Sequence, residues 1–230
     1  MKITFIDHSG FLVELETCVL LFDYYKGEIP KVPGKKWYVF SSHFHEDHFN
    51  DEIFRLREEY DVTYILSKDI KKYRKKQLHA PYELVSWNEK YKIGDIEVET
   101  FHSTDEGCAF LVHVEGKDIY HAGDLHWWHW IGEQEEENQK MKQAFCDEMK
   151  LLEEKHIDLA FMLLDPRQEA AYDWGMNYFM EHTESKKVIP MHMWGKYELC
   201  NTYLQTEQGQ MHKDRFLPIE REGQEIVLNL

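Results

Sequence analysis

The chain has 230 residues, 43% of them hydrophobic and 14% aromatic, and a formal net charge of −16. That length and apolar content are enough for one sizeable core. A negative field of that size repels phosphate backbones and anionic bilayers, which counts against nucleic acid and anionic membranes as partners. Four cysteines, Cys18, Cys108, Cys146 and Cys200, form no CxxC pair, so reduced and mostly buried thiols are expected. No apolar run reaches the roughly 18 residues of a membrane span. The opening MKITFI enters an alternating pattern without the apolar stretch of a secretory signal. The expectation is a cytoplasmic protein, not inserted in a membrane, with self-association left open.

The first elements predicted are short strands at Lys2–Ile6, Gly10–Glu16 and Cys18–Phe22, separated by Gly and acidic residues as in hairpins. Residues 23–35, with two Pro and two Gly, form a loop. Trp37–Ser41 is a compact apolar run suited to a buried strand. Asn50–Tyr60 has helical character, with Ile53, Phe54 and Leu56 on one side. A strand at Val62–Leu66 precedes a basic helix over Ser67–Leu78, whose five Lys and one Arg form a solvated face more readily than a phosphate patch. Strands follow at Ile96–Phe101, Cys108–Val114 and Lys117–His121. Next come an aromatic loop, His126–Trp130, and the longest helix, Glu133–Lys155, acidic at its start. A strongly apolar strand, Ile157–Leu164, leads to a helix near Trp174–His182, a strand at Val188–Met191, a helix near Lys196–Thr206 and a last strand at Ile226–Leu230. Strand-rich stretches open both halves and helices close them, which predicts two sheets with helices outside, in one domain over residues 1–230.

The chemistry concentrates in Ser41-Ser42-His43-Phe44-His45-Glu46-Asp47-His48. Three imidazoles and two carboxylates lie within six residues, directly after a buried strand. Imidazole nitrogen and carboxylate oxygen together suit zinc, iron and similar ions. His43 and His45, two residues apart, can face one way; Asp47 and His48 lie a turn further on. Three later strand ends also carry donors: His102 after Glu97–Phe101, Asp124 after Asp118–His121, and His192 after Val188–Met191.

The spacing H-x-H-x-D-H followed by these three strand-end residues in order resembles the metallo-β-lactamase-like superfamily, over nearly the whole chain. Asp7-His8-Ser9-Gly10-Phe11-Leu12 and Tyr120-His121-Ala122-Gly123-Asp124 resemble a subgroup of small bacterial hydrolases of the ascorbate-6-phosphate lactonase type. Asp7, Tyr24 and Leu125 depart from that subgroup, which bears on the substrate rather than the metal site. The resemblance implies an α/β fold, a four-layer αβ/βα sandwich. It implies two divalent ions, zinc first, with manganese or iron as alternatives. His43, His45 and His102 would hold one ion, Asp47, His48 and His192 the other, and Asp124 would bridge them. A shared hydroxide would then attack a small ester, lactone or phosphodiester, with Asp47 and Asp124 in the catalytic set. The alternatives are an iron-containing redox protein of the same fold, which His45 disfavours because such relatives often carry Glu there, and a metal-dependent nuclease, which the charge disfavours.

Several residues stay open between a site role and a structural one. His121 is either an outer partner that orients a ligand or a satisfied strand-end histidine. His8 either reaches the pocket or makes a structural hydrogen bond, and Asp23 either touches the outer shell or starts a turn. The loop His126–Trp130 either lines the substrate pocket or packs on the following helix. Arg167 either binds an anionic substrate group or is an ordinary surface residue.

Overall fold

The computed structural model describes residues 1–229. Its strands are β1 Lys2–Asp7, β2 Gly10–Glu14, β3 Cys18–Phe22, β4 Lys36–Ser41, β5 Asp61–Ser67, β6 Glu83–Val85, β7 Lys90–Ile93, β8 Ile96–His102, β9 Cys108–Val114, β10 Lys117–His121, β11 Ile157–Leu163, β12 Ser185–Met191 and β13 Glu225–Val227. The α-helices are α1 Lys68–Tyr73, α2 Glu135–Lys150, α3 Trp174–His182, α4 Glu198–Leu204 and α5 Glu207–Met211. One sheet runs β13-β1-β2-β3-β4-β5-β6 and the other β12-β11-β10-β9-β8-β7. Each is antiparallel where hairpins build it. Each turns parallel at one flank, through β3, β4, β5 and β6 in the first and β10, β11 and β12 in the second.

The central strands of the first sheet read as continuous apolar runs because both of their faces are buried. Successive side chains point to opposite faces. Phe5, Phe11, Val13, Leu20, Phe22, Tyr38, Phe40 and Ile65 enter the core shared with the second sheet. Their alternates Ile6, Leu12, Val19, Leu21, Trp37, Val39, Tyr64 and Leu66 pack outward with Ile53, Phe54 and Ile70. On the far side of the second sheet, Phe145 and Met149 of α2 and Met176 and Phe179 of α3 join the strands of the main core. The layers are therefore helix, sheet, sheet, helix, the αβ/βα sandwich that was expected.

Several boundaries differ from the sequence reading. Asn50–Tyr60 holds a 3-10 helix, Asp51–Glu58, in which only Ile53 and Phe54 bury; two anchors do not impose a longer amphipathic α-helix. The basic stretch gives α1, then a separate 3-10 turn at Lys75–Gln77. Strands β6 and β7 are three and four residues long, too short for a period-two pattern, and were not expected. The helix expected over Lys196–Thr206 is α4, and Thr206 caps the separate α5 through its side chain. Pro190 falls inside β12, which its lack of an N–H allows because β12 is the outer strand of its sheet. The last strand is β13; the expected end at Leu230 lies outside the described residues.

Candidate metal centre

The site forms where parallel strands end. β4 delivers the Ser42–His48 segment, β10 delivers Asp124, β11 delivers Asp165 and β12 delivers His192. In open α/β sheets this carboxyl edge is where converging loops leave a crevice. The turn between β1 and β2 adds His8, and His192 N–H donates to the His8 carbonyl at 3.1 Å, which ties two distant loops together. His8, Asp23, His192 and Trp194 all have positive φ, from 40° to 66°. Non-glycine residues held in that region cluster at functional sites.

Close backbone approach makes this possible. Gly123, with φ 53°, leads into Asp124; a Cβ there would lie 2.7 Å from the Ser42 Cβ. Gly107 presses on the same residue from the loop after β8, where a Cβ would stand 2.0 Å from the Ser42 carbonyl oxygen. Neither position has room for a side chain. The basic segment also has a role here: Asp69 of α1 accepts from Phe44 N–H at 2.8 Å, and Arg74 donates to the Phe44 carbonyl at 2.9 Å. This clamp fixes the His43–His48 loop from outside.

Two groups of donor atoms result. His8, Asp47, His48 and His192 form one, and His43, His45, Asp105 and Asp124 the other, with the donor atoms of each group within 4.8 Å of one another. Asp124 spans them. Its Oδ1 is 3.2 Å from His48 Nε2 and 3.3 Å from His192 Nε2, while Oδ2 is 3.6 Å from His43 Nε2. Asp47 Oδ2 lies 3.3 Å from His8 Nε2.

The far nitrogens of three of these imidazoles have defined partners. His48 Nδ1 donates to Asp23 at 2.7 Å, and His192 Nδ1 to Asp165 at 2.9 Å. Ser42 Oγ donates to Asp23 at 2.6 Å and so accepts from His43 Nδ1 at 2.9 Å. Each hydrogen bond leaves Nε2 facing the clusters, as second partners of metal-bound histidines do. His8 Nε2, His48 Nε2, His192 Nε2 and Asp124 Oδ1 are buried and have no hydrogen-bond partner. Four buried polar atoms that face charged or polar neighbours without an aligned hydrogen bond are costly unless something they can coordinate binds there. The donor chemistry fits a pair of divalent ions.

The electrostatics agree. Burial pushes the His43 imidazole down to about 3, with repulsion from His48 adding to it, and burial pushes His8 down to about 4 with help from His192. Both stay neutral and keep a lone pair. Burial would also lower His48, but the Asp124 and Asp23 carboxylates outweigh it and hold its pKa well above the ordinary value. Burial would raise Asp124, and the surrounding His48, His192 and His43 overcome it and hold the carboxyl well below.

Six of the seven expected ligands, His43, His45, Asp47, His48, Asp124 and His192, come together. His102 does not. It is still part of β8, paired with Cys108, and its exposed ring rests 4.3 Å from that of Trp87. The strand continues through this residue, so its side chain is held in the pleat beside Trp87 and not in the cleft. The turn beyond it arrives three residues later with Asp105, whose Oδ2 lies 3.6 Å from His45 Nδ1. Asp105 and the first-cluster place of His8 were not assigned from the sequence. A carboxylate in the Gly-containing turn Ser103–Gly107 and a histidine in a tight hairpin turn were the available signals.

The open residues resolve as follows. Asp23 is the outer partner of His48 and, through Ser42, of His43. His121, fully buried, donates from Nε2 to the Ser9 carbonyl at 2.9 Å and accepts from Gly123 N–H at 3.1 Å, so it braces the turns bearing His8 and Asp124. The aromatic loop divides. Trp128 and Trp130 line a cleft of about 230 Å³ together with His45, Asp47, Asp105, Asp124, Arg167 and His192. Trp127 turns away onto Phe145 of α2 and Trp174 and Tyr178 of α3. Gln168 holds the loop, donating to the Trp127 carbonyl at 2.9 Å and pairing with His126 Nε2 at 2.8 Å. No helix among the described residues is long and apolar enough to cross a membrane.

Known proteins resemble this chain in sequence and in fold. A UPF0173 metal-dependent hydrolase of Desulforamulus reducens is 30% identical over 145 residues, 54% of this chain and 62% of that protein. The chain thus spans less than two thirds of that relative's length. A UPF0173 metal-dependent hydrolase of Symbiobacterium thermophilum is 27% identical over 221 residues, 86% of this chain and 85% of that one. Among solved structures, a metallo hydrolase from Ignicoccus hospitalis superimposes with a TM-score of 0.72 at 16% identity, covering 100% of this chain and 98% of its own. A metallo-beta-lactamase fold protein from Bacillus subtilis gives 0.59 at 11% identity, covering 98% and 99%. These two establish likeness of fold. The family described as the beta-lactamase superfamily domain matches residues 2–140, more than half of the chain. The protein is a member of the beta-lactamase superfamily.

Proposed function

We propose that the protein is a metal-dependent hydrolase, one domain over residues 1–230, that holds two divalent ions and cleaves a small ester, lactone or phosphodiester. The observation that carries this reading is the convergence of His8 Nε2, His48 Nε2, His192 Nε2 and Asp124 Oδ1, buried and unpaired, beside a second donor group that shares Asp124. His8, Asp47, His48 and His192 would hold one ion, and His43, His45 and Asp105 the other, with Asp124 between them. Zinc suits the imidazole-rich first group; manganese and iron also suit the carboxylates of the second. Bound ions would supply a hydroxide at neutral pH and a positive field for the developing oxyanion. Asp124 orients both halves of the site through its two oxygens. Asp47 stays ionised because its contact with His8 offsets the effect of burial. Asp23 and Asp165 fix the imidazoles in the tautomer that presents Nε2.

Cys108 plays no part in this chemistry. It is fully buried, and desolvation raises its thiol far above the ordinary range. The test is elemental analysis of purified protein together with a panel of ester, lactone and phosphodiester substrates. Wild type is expected to hold about two ions per chain. D124A should lose metal and at least about a hundredfold in turnover, since outer partners of metal ligands alone are worth about 10–100-fold. C108A should retain both. Turnover abolished in C108A at full metal content would replace the metal-hydroxide reading with a thiolate mechanism. A second reading, iron redox chemistry, draws on Asp105 standing where an imidazole was expected. Iron at about two per chain with oxygen consumption and no hydrolysis would establish it.

A further inference from the structure

One cation, Arg167, and two indoles, Trp128 and Trp130, line the cleft, and a third indole, Trp194, lies beside that cation. Arg167 is the permanent cation among the described residues that line the cleft. Asp165 holds it rigidly: Nε donates to both carboxylate oxygens at 3.0 and 2.9 Å, and Nη2 donates at 2.5 Å. The same Asp165 Oδ2 accepts from His192 Nδ1 at 2.9 Å. The guanidinium is thus one carboxylate away from a metal-facing imidazole. Its side chain is 46% exposed, and Nη1 has no hydrogen-bond partner among the described residues.

The guanidinium carbon lies 4.7 Å from the Trp194 ring centre and 5.8 Å from those of Trp128 and Trp130. Trp128 and Trp130 stack nearly parallel, at 5° and 5.7 Å. Trp130 and Trp194 remain 37% and 44% exposed, an unusual state for indoles beside a polar site. Asp165 occupies only part of the guanidinium fork, and the indoles flank the half-exposed remainder. A planar fork with free donors, set among flat aromatic faces, matches a planar anion better than a hydrated spherical one.

We propose that Arg167, with Trp128, Trp130 and Trp194, forms a subsite for the carboxylate of a small, planar, unsaturated or aromatic acid, so that the substrate is anionic. This rests on the hydrolase reading and narrows its substrate. The carboxylate on Arg167 is a spectator. Where His8, His48, His192, Asp124 and the second donor group hold ions, hydrolysis of the acyl–oxygen bond of the same molecule would take up one water and give a second carboxylic acid and an alcohol. The cleft's volume of about 230 Å³ limits that molecule to a small one.

Calorimetric titration of the zinc-loaded protein with benzoate and with neutral, nearly isosteric benzamide tests the subsite. Wild type should bind benzoate at least about tenfold more tightly, the scale of one charge-assisted pair in a partly dry site. R167Q, at a zinc content equal to wild type, should bring the two affinities within about threefold. R167K should restore only part of the preference, because an ammonium keeps the charge and loses the fork. W194A should weaken both probes together. A wild-type protein without preference overturns the proposal, and so does R167Q with the preference intact, which would place the anion on the metals. Failure of every ester, lactone and phosphodiester to turn over at full zinc would reject the hydrolase reading while leaving this ratio unchanged.

Discussion

One carboxylate, Asp23, sets the proton positions of two imidazoles in different clusters. It accepts from His48 Nδ1 directly and from Ser42 Oγ, which accepts in turn from His43 Nδ1. Its second oxygen accepts from Ser42 N–H at 2.7 Å, so both oxygens are engaged and the group is held in place. At the same scale His102 and Asp105 divide a role that the sequence assigned to the first. H102A is expected to bind zinc within about twofold of wild type. D105N should weaken one of the two ions at least about tenfold, because an amide oxygen carries no charge. Zinc titration against a competing chelator reads both. Equal loss in H102A would restore that histidine to the ligand set.

At the scale of elements, the loop His126–Trp130 joins cleft and scaffold. Gln168 pins it, and consecutive indoles then point to opposite sides. W127A removes packing against Phe145, Trp174 and Tyr178 and should cost about 2–3 kcal/mol, somewhat under a fully buried Trp. In a chain of this length that corresponds to a melting temperature roughly 5–10 °C lower. Its kinetics should stay close to wild type. W128A should melt nearer to wild type and show its effect in KM, or in kcat if the indole also excludes water. Thermal melts beside steady-state kinetics for the two single variants check this, and the reverse pattern would exchange their roles.

At the scale of the whole molecule, the two clusters draw ligands from segments that begin at His8 and end at His192, and both sheets contribute. Ions bound there would act on the whole fold by mass action. A ligand at a hundred times its dissociation constant adds about 2.7 kcal/mol. Removing zinc with a chelator should therefore lower the melting temperature by roughly 5–10 °C, and restoring it should reverse the change. An unchanged melt would mean that no ion is bound tightly to the native state.

What the sequence determined by itself was the frame and most of the donors. Apolar runs with both faces buried, such as Val19–Phe22 and Trp37–Phe40, and the pattern around Ile157–Leu163 give the strands without any knowledge of their neighbours. The dense segment His43–His48 and the strand-end residues Asp124 and His192 are legible because donors that close in sequence, or directly after a buried strand, have few places to go. Tertiary structure decided the rest. Whether a side chain beyond a strand end enters the cleft depends on where the chain turns: His102 is held beside Trp87, while Gly107 lets the next loop press on Ser42 and carry Asp105 inward. His8 becomes a donor only because its hairpin turn meets the His192 loop, 184 positions later in the chain (192 minus 8). Arg167 meets Trp128, Trp130 and Trp194 only once β11, β12 and the loop after β10 lie side by side. Local periodicity reports which face of an element is buried, and it carries no information about which loops from distant segments converge.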